Sequence, residues 1–232
     1  MKKKKIASFI KKIIGVIARI AGKLTDEYKK RSEYGFIYIL VSILVKVLCV
    51  LNLVEWFKLV FYKICRLFQK GISCRAAKNW AIDIFIVLKF IFLFVAIKMH
   101  PNPIIVKVVV YLLLMNVFTY FYYHVWRKST DNCSHWQTRR FVSLMLAIVF
   151  NILCYTYLFW NGLSESIVWE NGTPTDLYNV FQYSISNTFL VPSPLSVINT
   201  FGIYLQTSQQ LVSFIFLAII LSQSIPISSG EE

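Results

Sequence analysis

Five polar side chains punctuate an apolar stretch near the C-terminus: Asn199, Gln206, Gln209, Gln210 and Ser213. Their separations of three, four and seven residues place them on one face of a helix. Amides and a hydroxyl so arranged suit the coordination of water and of partly dehydrated ions, or hydrogen bonding between helices. Polar groups are costly against lipid, so the stripe must face either a water-filled path or a partner helix. Upstream stand three acids, Glu165, Glu170 and Asp176, and between acids and stripe runs Thr188–Phe189–Leu190–Val191–Pro192–Ser193–Pro194. Carboxylates gathered at the mouth of a path concentrate cations there.

The other reactive side chains form no such set. His100, His124 and His135 are not spaced from a carboxylate or cysteine as metal ligands would be, and Cys49, Cys65, Cys74, Cys133 and Cys154 include no CxxC pair. A glycine-rich phosphate loop and a nucleophile elbow are both missing. The residues therefore give no basis for an enzyme, a cofactor or a metal site.

The elements that must position the stripe are membrane elements. Hydrophobic residues make up 57% of the 232, charged residues only 16%, and the net charge is +14; mean hydropathy is +0.59. Too few polar residues remain to cover a soluble domain. A basic excess beside long apolar runs points to anionic lipid headgroups rather than nucleic acid. Four segments reach the ~20 residues that a bilayer requires: Ala81–Lys98, Ile104–Trp126, Phe141–Trp160 and Phe201–Leu221. A fifth, Phe36–Leu53, also qualifies by hydropathy, and the expected fold is all-α with four or five spans. The stretch Val54–Lys78 is basic and amphipathic, and reads as interfacial.

Residues 1–34 form a cationic amphipathic segment. Ile6, Phe9, Ile10, Ile13, Ile14 and Ile17 fall on one arc of a helix, opposite the lysines from Lys4 onward. That pattern suits a headgroup plane or the surface of a protein partner. A membrane-associated region follows at 35–79, then a hairpin at 80–126, a module at 139–224 and an acidic tail at 225–232. Arg127, Lys128, Arg139 and Arg140 make the loop at 126–140 cytoplasmic by the positive-inside rule, which also places the C-terminus inside. If Phe36–Leu53 spans, the basic N-terminus lies outside, against the same rule.

Arg140 is the last basic residue in the chain. After it come a span, an acidic stretch, and Thr173–Pro174–Thr175–Asp176, where Thr173 suits a helix cap, Pro174 the first position and Asp176 the positive end. The helix that follows, Leu177–Ile185, is too short to cross. An irregular run from Ser186 to Ser196 leads into the last span. Irregular backbone at membrane depth is tolerated only inside protein or beside water, so the unit reads as a re-entrant pore helix and loop.

The stretch Asp176–Leu217 resembles the pore region of the tetrameric potassium-channel superfamily, of bacterial type. Arg139–Arg140–Phe141 looks like the start of its outer helix, Phe181–Gln182–Tyr183–Ser184–Ile185 like its pore helix, and Asn199–Thr200–Phe201–Gly202 like the start of its inner helix. The family's filter is of the Thr-Val-Gly-Tyr-Gly type, whereas residues 188–194 hold two prolines and no glycine. Prolines fix φ and remove conformations that a carbonyl-lined filter needs. The resemblance thus implies a homotetrameric, weakly selective cation pore of the bacterial inner membrane, with the acids at its outer mouth, residues 188–194 as pore loop and the stripe as lining. The alternative expectation is a non-conducting scaffold or sensor derived from a channel, which recruits a cytoplasmic partner, as in membrane components of phage-defence systems.

Overall fold

The computed structural model describes residues 36–68, 74–123, 134–170, 172, 174 and 176–224. The N-terminal segment 1–34, Thr173 and the tail 225–232 lie outside the described residues. Those described are all-helical, with one isolated antiparallel bridge, Trp169 to Val197. The helices are α1 (Phe36–Leu51), α2 (Leu53–Phe68), α3 (Cys74–Lys98), α4 (Pro103–Phe121), α5 (Ser134–Tyr157), α6 (Leu177–Phe189) and α7 (Thr200–Ser224). A single turn of π-helix, Leu158–Gly162, extends α5.

Four helical stretches are long and apolar enough to cross a membrane: Ala76–Lys98, Pro103–Phe121, Phe141–Gly162 and Thr200–Leu221. They coincide with the four expected spans. The expected single segment Phe36–Leu53 is instead interrupted at Asn52, whose side-chain oxygen accepts from the Val54 amide at 3.0 Å and so caps the start of α2. Within the described residues α1 is 16 residues long, and it counts towards a fifth span only when taken with α2 as one broken span. Leu51 and Asn52 also mark the border between two compact units.

Within the second unit the spans alternate in direction. Asn102 caps α4 by accepting from the Ile104 amide at 2.9 Å, with Pro103 in the first helical position. Asn161, at the end of α5, donates to the Met99 carbonyl just past α3. These contacts define one end of the bundle, the Glu165 end. At the opposite end Arg139 pairs with Asp83 at 2.9 Å and donates to the Asn79 carbonyl at 3.0 Å. The α5 span is 56% buried against 17% to 33% for the other three, which makes it the central helix on which they pack. Its own core residues include Phe150, whose ring meets Phe90 of α3 edge-on at 5.5 Å. α2 lies against α3 through Phe57 and Phe85, with rings 5.6 Å apart. Lys58, in the stretch expected to be basic, amphipathic and interfacial, is buried between Glu55 at 2.8 Å and the Tyr123 hydroxyl at 3.0 Å.

The segment between α5 and α7 departs from expectation in two details. Asp176, not Thr173, occupies the N-cap of α6, and its side chain makes no capping bond. Pro174 therefore precedes the helix instead of opening it. α6 also runs on to Phe189, so Thr188 and Phe189, expected in the loop, belong to its last turn.

Candidate functional site

The candidate site is the junction of α5, α6 and α7. α6 starts at the Glu165 end and runs back along α5, with Tyr183 on Phe159 and the Ser184 hydroxyl donating to the Ile152 carbonyl at 2.9 Å. Its last turn lies beside α7, where Asn187 donates to the Gln206 carbonyl at 3.2 Å. The chain then returns to the Glu165 end, where Val197 bridges Trp169 and Asn199 begins α7. Counting from Asn199 to Gln206, the return climbs about 10 Å.

The return is made by a tight reversal. Leu190 adopts the left-handed conformation at φ 57°, and the Val191 amide donates to the Ser186 carbonyl at 2.8 Å. This is a Schellman cap with leucine where glycine is usual. A left-handed leucine costs about 1–2 kcal/mol. Leu190→Gly is therefore expected to raise unfolding stability by roughly 0.5–1 kcal/mol, the gain being reduced by glycine's greater freedom in the unfolded chain. Thermal unfolding in detergent reads that change. The tip itself is apolar and exposed: Phe189 63%, Leu190 71% and Val191 57%. Pro192 and Pro194 are exposed as well, and the Ser193 hydroxyl turns back to accept from the Leu195 amide at 3.3 Å.

The five residues of the polar stripe part company. Gln209 is 1% exposed and sits between α7 and α6. Its amide nitrogen donates to the Ser184 carbonyl, the Ser184 hydroxyl and the Thr188 hydroxyl, each at 2.8 Å, and its oxygen accepts from Asn187 at 2.8 Å. Gln210 donates to Asn187 at 2.9 Å, and the Ser213 hydroxyl donates to the Gln209 carbonyl at 2.9 Å. Asn199 is not on the transmembrane face. It caps α7, accepting from the Gly202 and Val168 amides at 3.2 and 3.0 Å while donating to the Ser166 carbonyl at 2.7 Å. Gly202 is needed there, since a Cβ would lie 2.7 Å from the Asn199 oxygen. Gln206 is half-buried, and no hydrogen bond to its side chain occurs among the described residues. Spacing alone could not separate these roles. Asn187, which links Gln206, Gln209 and Gln210, carried no signal beyond its place in α6.

The three acids all lie at the Glu165 end and are exposed. Glu165 sits in a short 3-10 turn, Glu170 accepts from the Ser196 hydroxyl, and Asp176 stands at the start of α6. The 139–224 module thus offers only acidic charge there; Lys98, at the same end, belongs to the neighbouring hairpin.

A second polar cluster lies inside the bundle. Lys89 donates to the Asn116 oxygen at 2.6 Å, and Asn116 donates to the Ala147 carbonyl and to Asn151, both at 3.1 Å. Asn116 and Asn151 thereby tie α4 to α5. No group of three or more His, Cys, Asp or Glu capable of holding a metal occurs among the described residues. Compared with known proteins, the chain matches no family model, no curated protein and no solved structure, so its function must be argued from its own residues.

Proposed function

We propose that copies of this chain assemble about α6, the return loop and α7 into a weakly selective cation pore, four copies being the simplest closed ring. The observation that carries this reading is the α6 hairpin. A helix too short to cross is seated by buried hydrogen bonds on two spans, and its apolar tip is left exposed. Irregular backbone at membrane depth needs protein or water around it, and one protomer supplies only one wall. Partner copies supply the others. α6 is then a re-entrant pore helix, Leu190–Pro194 a constriction without a carbonyl filter, and Gln206 the stripe residue whose amide is left to meet ions. Glu165, Glu170 and Asp176 form rings of charge at the outer mouth, with the C-terminus in the cytoplasm of a bacterial cell.

Neutralising the three acids together (E165Q, E170Q and D176N) is expected to lower the cation-to-anion permeability ratio severalfold at low salt and less at high salt, because surface charge is screened. Reversal potentials in a salt gradient give that ratio. An unchanged ratio would remove the acids from the pathway.

A second reading has its own support. Gln209, Gln210 and Asn187 satisfy one another inside the protomer, as they would in a closed bundle. In that reading the chain is a scaffold whose basic N-terminal segment recruits a soluble partner. A pull-down with and without residues 1–34 separates the two: loss of a specific partner with the segment favours the scaffold.

A further inference from the structure

Independently of the pore, the second polar cluster carries a ligand argument. Lys89 is 7% exposed. Its ammonium group makes one hydrogen bond, to Asn116, and lies 4.3 Å over the Phe150 ring. Such a group has three N–H donors. No carboxylate pairs with it among the described residues, since Glu55 engages Lys58 and Asp83 engages Arg139. An unpaired charge at this depth is costly.

Lys89 lines a cavity of about 50 Å³ between α2, α3 and α4. The polar groups of its wall are unevenly matched. The Asn52 oxygen is taken by the Val54 amide, the Asn116 oxygen by Lys89 itself, and the Thr119 hydroxyl accepts from Asn52 while donating to the Met115 carbonyl. The Tyr120 hydroxyl donates to the Ser143 carbonyl, and the hydrogens left over are N–H groups of Lys89 and the second amide hydrogen of Asn52. Phe85 and Leu112 complete an apolar surround. A pocket whose one charge is a buried ammonium, beside an amide hydrogen without an acceptor among the described residues, suits an anion and repels a cation.

Its size and depth limit which anion. With one water needing about 10–15 Å³ of such volume, the cavity holds a few waters or one small ion. Lys89 stands nine residues from the end of α3 at Lys98, about 14 Å along the helix. It is farther still from Cys74, so lipid phosphates at either surface lie out of reach.

We propose that Lys89 and Asn52 bind a small monovalent anion of the halide type, which neutralises the buried ammonium and stabilises the packing of α2, α3 and α4. The test uses the full chain in detergent at constant ionic strength, with gluconate, too large for the cavity, exchanged for chloride. Raising chloride 100-fold through its dissociation constant is expected to raise the melting temperature by about 5 °C, and bromide should substitute. K89M removes the charge, and N116D places a carboxylate where the Lys89 ammonium already bonds. Both are expected to abolish the chloride shift. Equal melting temperatures of the wild-type chain in chloride and gluconate would overturn the proposal, whatever the variants do. So would a shift that persists in a folded K89M or N116D protein. A shift produced in gluconate by phosphatidylglycerol, with no added effect of chloride, would assign Lys89 to lipid and overturn it equally.

Discussion

Gln209→Leu is expected to lower unfolding stability by about 2–3 kcal/mol and to release α6 from α7. Leucine matches glutamine closely in volume, so the cost falls on hydrogen bonding. The substitution removes one acceptor, used by Asn187, and one donor group shared among the Ser184 carbonyl, the Ser184 hydroxyl and the Thr188 hydroxyl. Hydrogen bonds between membrane helices average about 0.6 kcal/mol and reach about 1.7. Removing a hub costs more than one of these, because Asn187 and Thr188 are left with unmatched groups at a buried site. Gln206→Leu, one turn away, is expected to change stability by less than about 0.5 kcal/mol, its side chain having no such partners. Reversible unfolding in mixed micelles measures both. Equal effects of the two substitutions would show that the stripe acts as a unit and that the division drawn between them is wrong.

Tyr183→Ala is expected to be the most damaging single change in the module, by about 3–5 kcal/mol. Tyr183 is fully buried, its ring edge to face with those of Phe159 and Trp169, each 5.1 Å away. That trio joins α5, α6 and the segment after α5, and its loss leaves a large cavity at the point from which α6 descends. Tyr183→Phe is expected to be neutral or mildly stabilising, because the buried hydroxyl has no hydrogen-bond partner among the described residues. A strongly destabilised Tyr183→Phe would place an acceptor or a water at that hydroxyl.

The spans were plain in the sequence because each is a long apolar run ended by charge, proline or glycine, and hydropathy reads such runs without knowing the packing. The interruption at Asn52 is legible in kind, as an asparagine directly before a helix with Glu55 in its first turn. The apolar residues on both sides hid it. α6 ends later than its sequence suggests: Pro192 and Pro194 announce a break, while the actual stop is a left-handed Leu190, a residue that carries no such signal. The stripe was legible as a face but not as a set of roles. Gln206 and Gln209 differ by three positions and have identical chemistry, and only the position of Asn187 on a neighbouring helix tells them apart. The pairs Lys89 with Asn116 and Asp83 with Arg139 bring together residues 27 and 56 positions apart, which requires the order in which the helices pack.

Conduction can be recorded from the purified full chain, reconstituted in a planar bilayer with a cation gradient. A weakly selective pore gives unitary currents that reverse towards the cation equilibrium potential without marked preference among monovalent cations. Silence at voltages of both signs, in membranes shown to hold the assembled protein, would contradict it and leave the scaffold as the function of this fold.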